Sequence, residues 1–242
     1  MVRAVMTYLL DLDGSIFQAI NGFCGRYWAL DHILGHIQGD NLLRGGIALA
    51  AFWALWLLPA EDQVQRREML LAVLVAAMLS VLVARGLSLL LPFRIRPMFA
   101  PGLLYHAPLG AETFNYDLED WSSFPSDNAA FFFAWITGFW LLSRRLAIVF
   151  GLFSALFVVL PRSYFGFHYP GDLLGGALIG IAITLALTRV PSLPAGPLLA
   201  VKHRSLAFFN FLMFLITFEA GNLFINIRYI GKSVIHALQH YH

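Results

Sequence analysis

A single cysteine, Cys24, stands among 242 residues, which excludes an intramolecular disulfide and any metal site built on cysteines. Charge is also scarce: only 12% of the residues are Asp, Glu, Lys or Arg, against about a quarter in ordinary soluble domains. The formal net charge of +2 is too small to suggest a nucleic-acid partner, and none is expected. The first ten residues lack a long apolar core followed by small residues, so no cleavable signal peptide is expected. What the chain has in excess is apolar surface. Hydrophobic residues make up 59% and the mean hydropathy is +0.72, more than a water-soluble core can bury. The fold class that follows is all-α, a polytopic membrane bundle.

Six apolar stretches are candidate transmembrane helices: Gly45–Leu58, Met69–Leu91, Ala129–Leu142, Leu146–Leu160, Leu173–Thr188 and Leu206–Ile227. Several fall short of the roughly 20 residues that cross a bilayer and extend into their flanks. Residues 1–42 read as an amphipathic, interfacial segment, 43–228 as the transmembrane domain and 229–242 as a tail. The short loops holding Arg66 and Arg67, Arg144 and Arg145, and Arg189, Lys202 and Arg204 are assigned to the cytoplasm by the positive-inside rule. In "GDLLGGALIG", Gly171 and Gly175, and Gly176 and Gly180, are four residues apart, a spacing that permits close helix packing.

On this map the unusual polar residues gather at one face. "PFRIRPMFAP" (92–101) follows the second span, "FPSDNAAFF" (124–132) opens the third, and "YFGFHYPGD" (164–172) separates the fourth and fifth. Arg94, Arg96 and Arg162 supply forked donors suited to phosphate oxygens. Ser126 stands at an expected helix N-terminus, where backbone N–H groups and the helix dipole favour an anion. His168 can serve as nucleophile or general base, with Asp172 as the carboxylate that orients it. An oxyanion cradle beside an activated histidine is the apparatus of phosphoryl transfer.

Arg162, His168 and Asp172, with five and then three residues between them, resemble the third signature of the type 2 phosphatidic acid phosphatase superfamily. Pro125-Ser126 followed by Asp127-Asn128 resembles its second block, and Arg96-Pro97 the end of its first. Together the blocks cover about residues 85 to 180. The "SSFPSD" context and the N-terminal "FQAING" are similar to undecaprenyl diphosphate phosphatases of the bacitracin-resistance type. The resemblance implies that His168 forms a phosphohistidine, that Asp172 orients it, and that Arg96, Ser126 and Arg162 hold the phosphoryl oxygens. No cofactor or metal is implied.

Two positions depart from the pattern. The family's first-block lysine falls on Leu89, and either Arg85, one helical turn earlier, or Arg94 is the replacement charge; Arg85 alternatively pairs inside the bundle. The second block normally ends in the histidine taken to protonate the leaving group, and here that position is Asn128. An amide donates a hydrogen bond but delivers no proton. A monoester expels an alkoxide, which needs that proton. A diphosphate expels a phosphate monoester whose second pKa is about 6, which does not. The substitution therefore favours a lipid diphosphate as substrate, and also allows a phosphotransferase or a member that only binds lipid phosphates.

His106, in the 98–124 loop beside Glu112, Asp117, Glu119 and Asp120, is a candidate surrogate acid or a solvated side chain. Glu219, with Asn222 and Asn226 at helical spacing, either lines a headgroup cavity or bonds a neighbouring helix. The pairs His32/His36 and His236/His240 lack a third ligand, and "DLDG" (11–14) is too short for a calcium loop. The expected function is hydrolysis of a lipid-linked diphosphate, such as undecaprenyl diphosphate, at the outer face of the cell membrane.

Overall fold

Apolar runs bounded by proline, glycine or serine become helices here because in hydrocarbon each backbone N–H and C=O must find its partner within the segment. The computed structural model describes residues 2–110 and 118–222, and no strand occurs among them. The chain runs α1 (Val2–Asn21), α2 (Trp28–Gly39), a π-helical turn (Leu42–Gly46) leading into α3 (Ile47–Leu57), and α4 (Gln63–Leu90). After a 3₁₀ turn (Pro97–Phe99) come α5 (Asp127–Leu142), α6 (Arg144–Ser154) and α7 (Leu160–Tyr164), the last two joined by a π-helical turn (Ala155–Val159). The chain continues through α8 (Pro170–Leu187), α9 (Ser192–Arg204) and α10 (Leu206–Gly221).

Among the described residues, three helical stretches are long and apolar enough to cross a membrane: Gln63–Leu90, Arg144–Tyr164 and Pro170–Leu187. Leu42–Leu57 and Leu206–Gly221 are shorter apolar helices. The six apolar stretches of the sequence fall on α3, α4, α5, α6–α7, α8 and α10, with the sixth cut at the end of the described residues before Ile227. Two regions read as loop or interface are helical as well. Residues 192–204, expected as a cytoplasmic loop, form α9 despite Pro197 and pack against α4 and α10. The N-terminal segment holds α1 (Val2–Asn21) and α2 (Trp28–Gly39), which dock on α7, α8 and the Ala155–Val159 turn.

α5 lies at the centre, packed against α4, α6 and α8. Its ring-rich face (Phe131, Phe132, Trp135, Phe139) is fully buried with Phe52 of α3 and Phe209 of α10. α8 crosses α5 at a distance only small residues allow. A Cβ on Gly176 would lie 2.1 Å from the Ser126 carbonyl oxygen, and one on Gly180 would lie 2.2 Å from that of Ala130. The N-termini of α5 and α8 and the C-terminus of α4 consequently share one end of the bundle. Arg66, Arg67, Arg144, Arg145 and Arg189, at the other ends of these helices or just beyond, are placed at the opposite end.

Candidate functional site

Three loops close over the shared end and are stitched by main-chain hydrogen bonds. The Met98 N–H donates to the Gly166 carbonyl (3.0 Å), that of Ser123 to Arg94 (2.8 Å), and that of Ser126 to Asp172 (3.0 Å). Gly166 turns the chain out of α7 with φ +74°, a left-handed conformation that glycine adopts without strain, and the Tyr105 ring leaves no room for a Cβ. Behind it, the Phe167 and His168 N–H groups both donate to the Arg162 carbonyl, at 2.8 and 3.1 Å. The sequence RSYFGFH thus folds back on its own arginine.

His168 is 2% exposed. Its Nδ1 lies 2.8 Å from the Ser123 carbonyl, which only accepts, so Nδ1 carries the proton and Nε2 keeps its lone pair. Asp172 is farther off, with Oδ2 3.7 Å from Nδ1. Burial, helped by the nearby Arg96 and Arg162 cations, pulls the imidazole from 6.5 down to about 4, so the ring is neutral at neutral pH. Arg96 Nη1 stands 3.5 Å from Nε2. Its guanidinium donates to the carbonyls of Trp121 (3.0 Å), Phe167 (2.7 Å) and Ser122 (3.4 Å), which fix the fork in place. Burial lowers Arg96 to about 10, still a cation under ordinary conditions.

Asp172, wholly buried in the first turn of α8, accepts from the Tyr169 N–H (2.8 Å), the Ser123 hydroxyl and Arg94 Nη1 (2.5 Å). Arg94 Nη2 is held by Asp13 of α1 at 2.6 Å, and the guanidinium sits 4.1 Å from the Tyr169 ring centre. The fork of Arg94 is therefore divided between two carboxylates. Arg162 donates from Nη1 to the Gln38 amide oxygen (3.3 Å) and lies 4.8 Å from the Phe167 ring. Ser126 caps α5, its hydroxyl accepting from the Ala129 N–H at 3.4 Å.

A second cluster adjoins the first. Asn128 donates its backbone N–H (2.8 Å) and its amide (3.0 Å) to Asp127, which pairs with Arg85 of α4 at 2.5 Å. Arg85 lies 4.8 Å from the Trp121 ring, whose residue also offers its carbonyl to Arg96. Leu89, by contrast, is 78% exposed and turned away.

The structure thus brings together His168, Asp172, Arg94, Arg96, Ser126 and Arg162, with Asn128 and Arg85 beside them. Two residues stand apart from this cluster. His106 is tied through its backbone to Asn21 (2.7 and 2.9 Å), and no hydrogen bond or ion pair among the described residues joins its ring to His168. Glu219 is half-buried near the end of α10. Glu112, Asp117, Asn226, His236 and His240 lie outside the described residues. Among the described residues no three His, Cys, Asp or Glu side chains converge as metal ligands would.

The sequence names Asp127 only as part of its second block and gives no role to Asp13, Ser123 or Tyr169. Ser123 and Tyr169 act partly through backbone atoms, which no motif reveals. Asp13 lies in "DLDG", a stretch too short for a calcium loop. Its one usable signal was its place on a face with Phe17 and Asn21, at four-residue intervals.

The arrangement offers a neutral nucleophilic nitrogen, a fixed guanidinium beside it, and two helix N-termini whose dipoles favour an anion. The family profile of the PAP2 superfamily matches residues 68–193, just over half of the chain, and so takes in all three stitched loops. No curated protein and no solved structure matches the chain.

Proposed function

Because the chain belongs to the PAP2 superfamily, whose activity is of phosphatase type on phosphorylated lipids in a membrane, we propose that it hydrolyses a lipid-linked diphosphate through a phosphohistidine at His168. The observation that carries this reading is the contact of His168 Nδ1 with the Ser123 carbonyl, which leaves the lone pair on Nε2, with Arg96 Nη1 3.5 Å away. In the first step the Nε2 lone pair attacks the terminal phosphorus. The bond from that phosphorus to the bridging oxygen breaks, and the lipid monophosphate leaves with both bridge electrons. Arg96 and Arg162 offset charge on the equatorial oxygens, and Ser126 at the head of α5 offers a helix N-terminus. The ring is cationic while phosphorylated, which the Asp172 carboxylate 3.7 Å from Nδ1 stabilises. Water then attacks the same phosphorus, the N–P bond breaks with its electron pair returning to Nε2, and both water protons depart with the phosphate as H2PO4−.

The leaving group explains why Asn128 is tolerable. A phosphate monoester leaves largely without protonation, its second pKa being about 6, whereas an alkoxide does not. A polyprenyl diphosphate such as undecaprenyl diphosphate fits this chemistry, as does the similarity of "SSFPSD" and "FQAING" to phosphatases of the bacitracin-resistance type. The arginine-bearing ends opposite the site favour a site on the outer face of the cell membrane.

Phosphate release by detergent-purified protein from undecaprenyl diphosphate and from phosphatidic acid tests the reading. Turnover of the diphosphate alone, abolished in His168→Ala, is expected. No release from either lipid would overturn hydrolysis and leave transfer to a lipid or glycan acceptor, or binding without turnover.

A further inference from the structure

Residues 1–42 lie outside the family match, yet one face of α1 grips the catalytic loop at three points four residues apart. Asp13 holds Arg94 Nη2 at 2.6 Å and accepts the Gly171 N–H at 2.7 Å. Phe17, fully buried, meets the Tyr169 ring edge to face at 5.9 Å. Asn21, also buried, donates to the Tyr164 carbonyl at 2.9 Å and clasps the His106 backbone. Positions i, i+4 and i+8 share one helix face, so a rigid helix presents all three together.

From Asp13 a continuous path of contacts reaches the reacting ring. Arg94 bridges Asp13 to Asp172; Asp172 accepts from the Ser123 hydroxyl; the Ser123 carbonyl holds His168 Nδ1. With the Asp13 carboxylate removed, half of the Arg94 fork loses its partner, and only Asp172 and the Tyr169 ring then restrain the guanidinium. Tyr169 links the same two partners, its ring under Arg94 and its N–H on Asp172.

We propose that α1 is a brace for the catalytic loop and that Asp13 is its positioning residue, orienting His168 through Arg94, Asp172 and Ser123. This rests on the reading of His168 as nucleophile. A brace of this kind sets the aim of Nε2 rather than the affinity for the headgroup. Asp13→Asn keeps the size and the acceptor for Gly171 but loses the charge facing Arg94. It is expected to lower kcat on undecaprenyl diphosphate roughly 10- to 100-fold, since small misplacements of a reacting group cost about that much. KM is expected to stay within about twofold, and Asp13→Glu to recover most of the rate. Because Asp13 acts through Arg94, adding Asp13→Asn to Arg94→Lys is expected to cost little more than Arg94→Lys alone.

An unchanged kcat in Asp13→Asn, or losses that multiply in the double variant, would overturn the brace. If Asp13→Asn does not yield folded protein, Phe17→Leu loosens the same face without altering charge; a lowered kcat at constant KM supports the brace and an unchanged kcat overturns it. If the wild type releases no phosphate from any lipid, the proposed function fails, and the brace is read instead from the ring ¹⁵N resonances of His168, identified by their loss in His168→Ala. Those resonances are expected to report Nδ1–H in the wild type and to move in Asp13→Asn; identical shifts would overturn the brace.

Discussion

Arg85 and Asp127 face each other across α4 and α5 as an ion pair of 2.5 Å, and Asp127 in turn holds Asn128. The family lysine would fall on Leu89, which is 78% exposed and turned from the site. One turn back along the helix brings the cation to the Trp121 ring and to the α5 N-terminus instead. Arg85 is thus paired inside the bundle, beside the α5 N-terminus, where its charge adjoins the site.

Loss of that charge should be felt and should not be restored at position 89. Arg85→Ala is expected to lower kcat/KM for the lipid diphosphate by about 10²-fold, the usual scale for removing one charge-stabilising donor. Arg85→Ala combined with Leu89→Lys is expected to be no better, because residue 89 points outward. Recovery in the double variant, read by phosphate release, would show that a cation at either position serves.

Asn128 sits in the first turn of α5 with its amide donated to Asp127. A histidine there would return a proton donor to the leaving group. Asn128→His is expected to add cleavage of phosphatidic acid, where the leaving alkoxide needs protonation, while changing diphosphate turnover by less than about tenfold. Absence of any new monoester activity in a folded variant would mean that position 128 does not face the leaving group.

Helices and site residues differ in how far the sequence exposes them. The central helices could be read because each is an apolar run bounded by Pro92, Ser126, Ser143 or Pro170, and hydropathy reports such runs directly. α9 was hidden by Pro191, Pro194 and Pro197 and by its cations, all of which mimic a loop. Within the site, Arg162, His168 and Asp172 were visible because their spacing is tight, and Arg96 because its segment directly follows an apolar run. The partners of those residues were not. That Nδ1 would choose the Ser123 carbonyl over Asp172, or that Arg94 would be shared with Asp13, depends on how three loops and α1 meet in space. Sequence periodicity carries no information on such meetings beyond one helix.

The buried imidazole makes a pH prediction with a definite sign. Burial disfavours the His168 cation and pulls the group from its ordinary 6.5 down to about 4 in the folded protein. The proposed attack through Nε2 needs a neutral ring, so the contribution of His168 to kcat/KM is expected to be constant from neutral pH down to about pH 5 and to fall as pH drops through about 4. Stability follows the same group. Between about pH 6.5 and 4 the unfolded chain binds a proton that the folded chain refuses, so stability is expected to decline as pH falls through that window. His168→Gln should flatten that decline in thermal unfolding at pH 7, 5.5 and 4.5; an equal slope in both proteins would assign it to other groups.

Gly176 decides whether the two helix N-termini can meet at all. A Cβ there would stand 2.1 Å from the Ser126 carbonyl oxygen and 3.0 Å from the Ala129 Cβ, both belonging to the first turn of α5. Neither neighbour is the far end of a flexible side chain, so α8 itself must shift. Overpacking of this kind costs about 1–3 kcal/mol, occasionally more. The shift would also part Asp172 from the Ser126 N–H, a bond of 3.0 Å that ties α8 to α5. Gly176→Ala is therefore expected to lower both the thermal midpoint in detergent and kcat. Gly196→Ala, with nothing within 4 Å of its added Cβ, should leave both unchanged. If Gly176→Ala kept full activity, the head of α8 would have to tolerate displacement from α5, and close α5–α8 contact would not be what aligns the site.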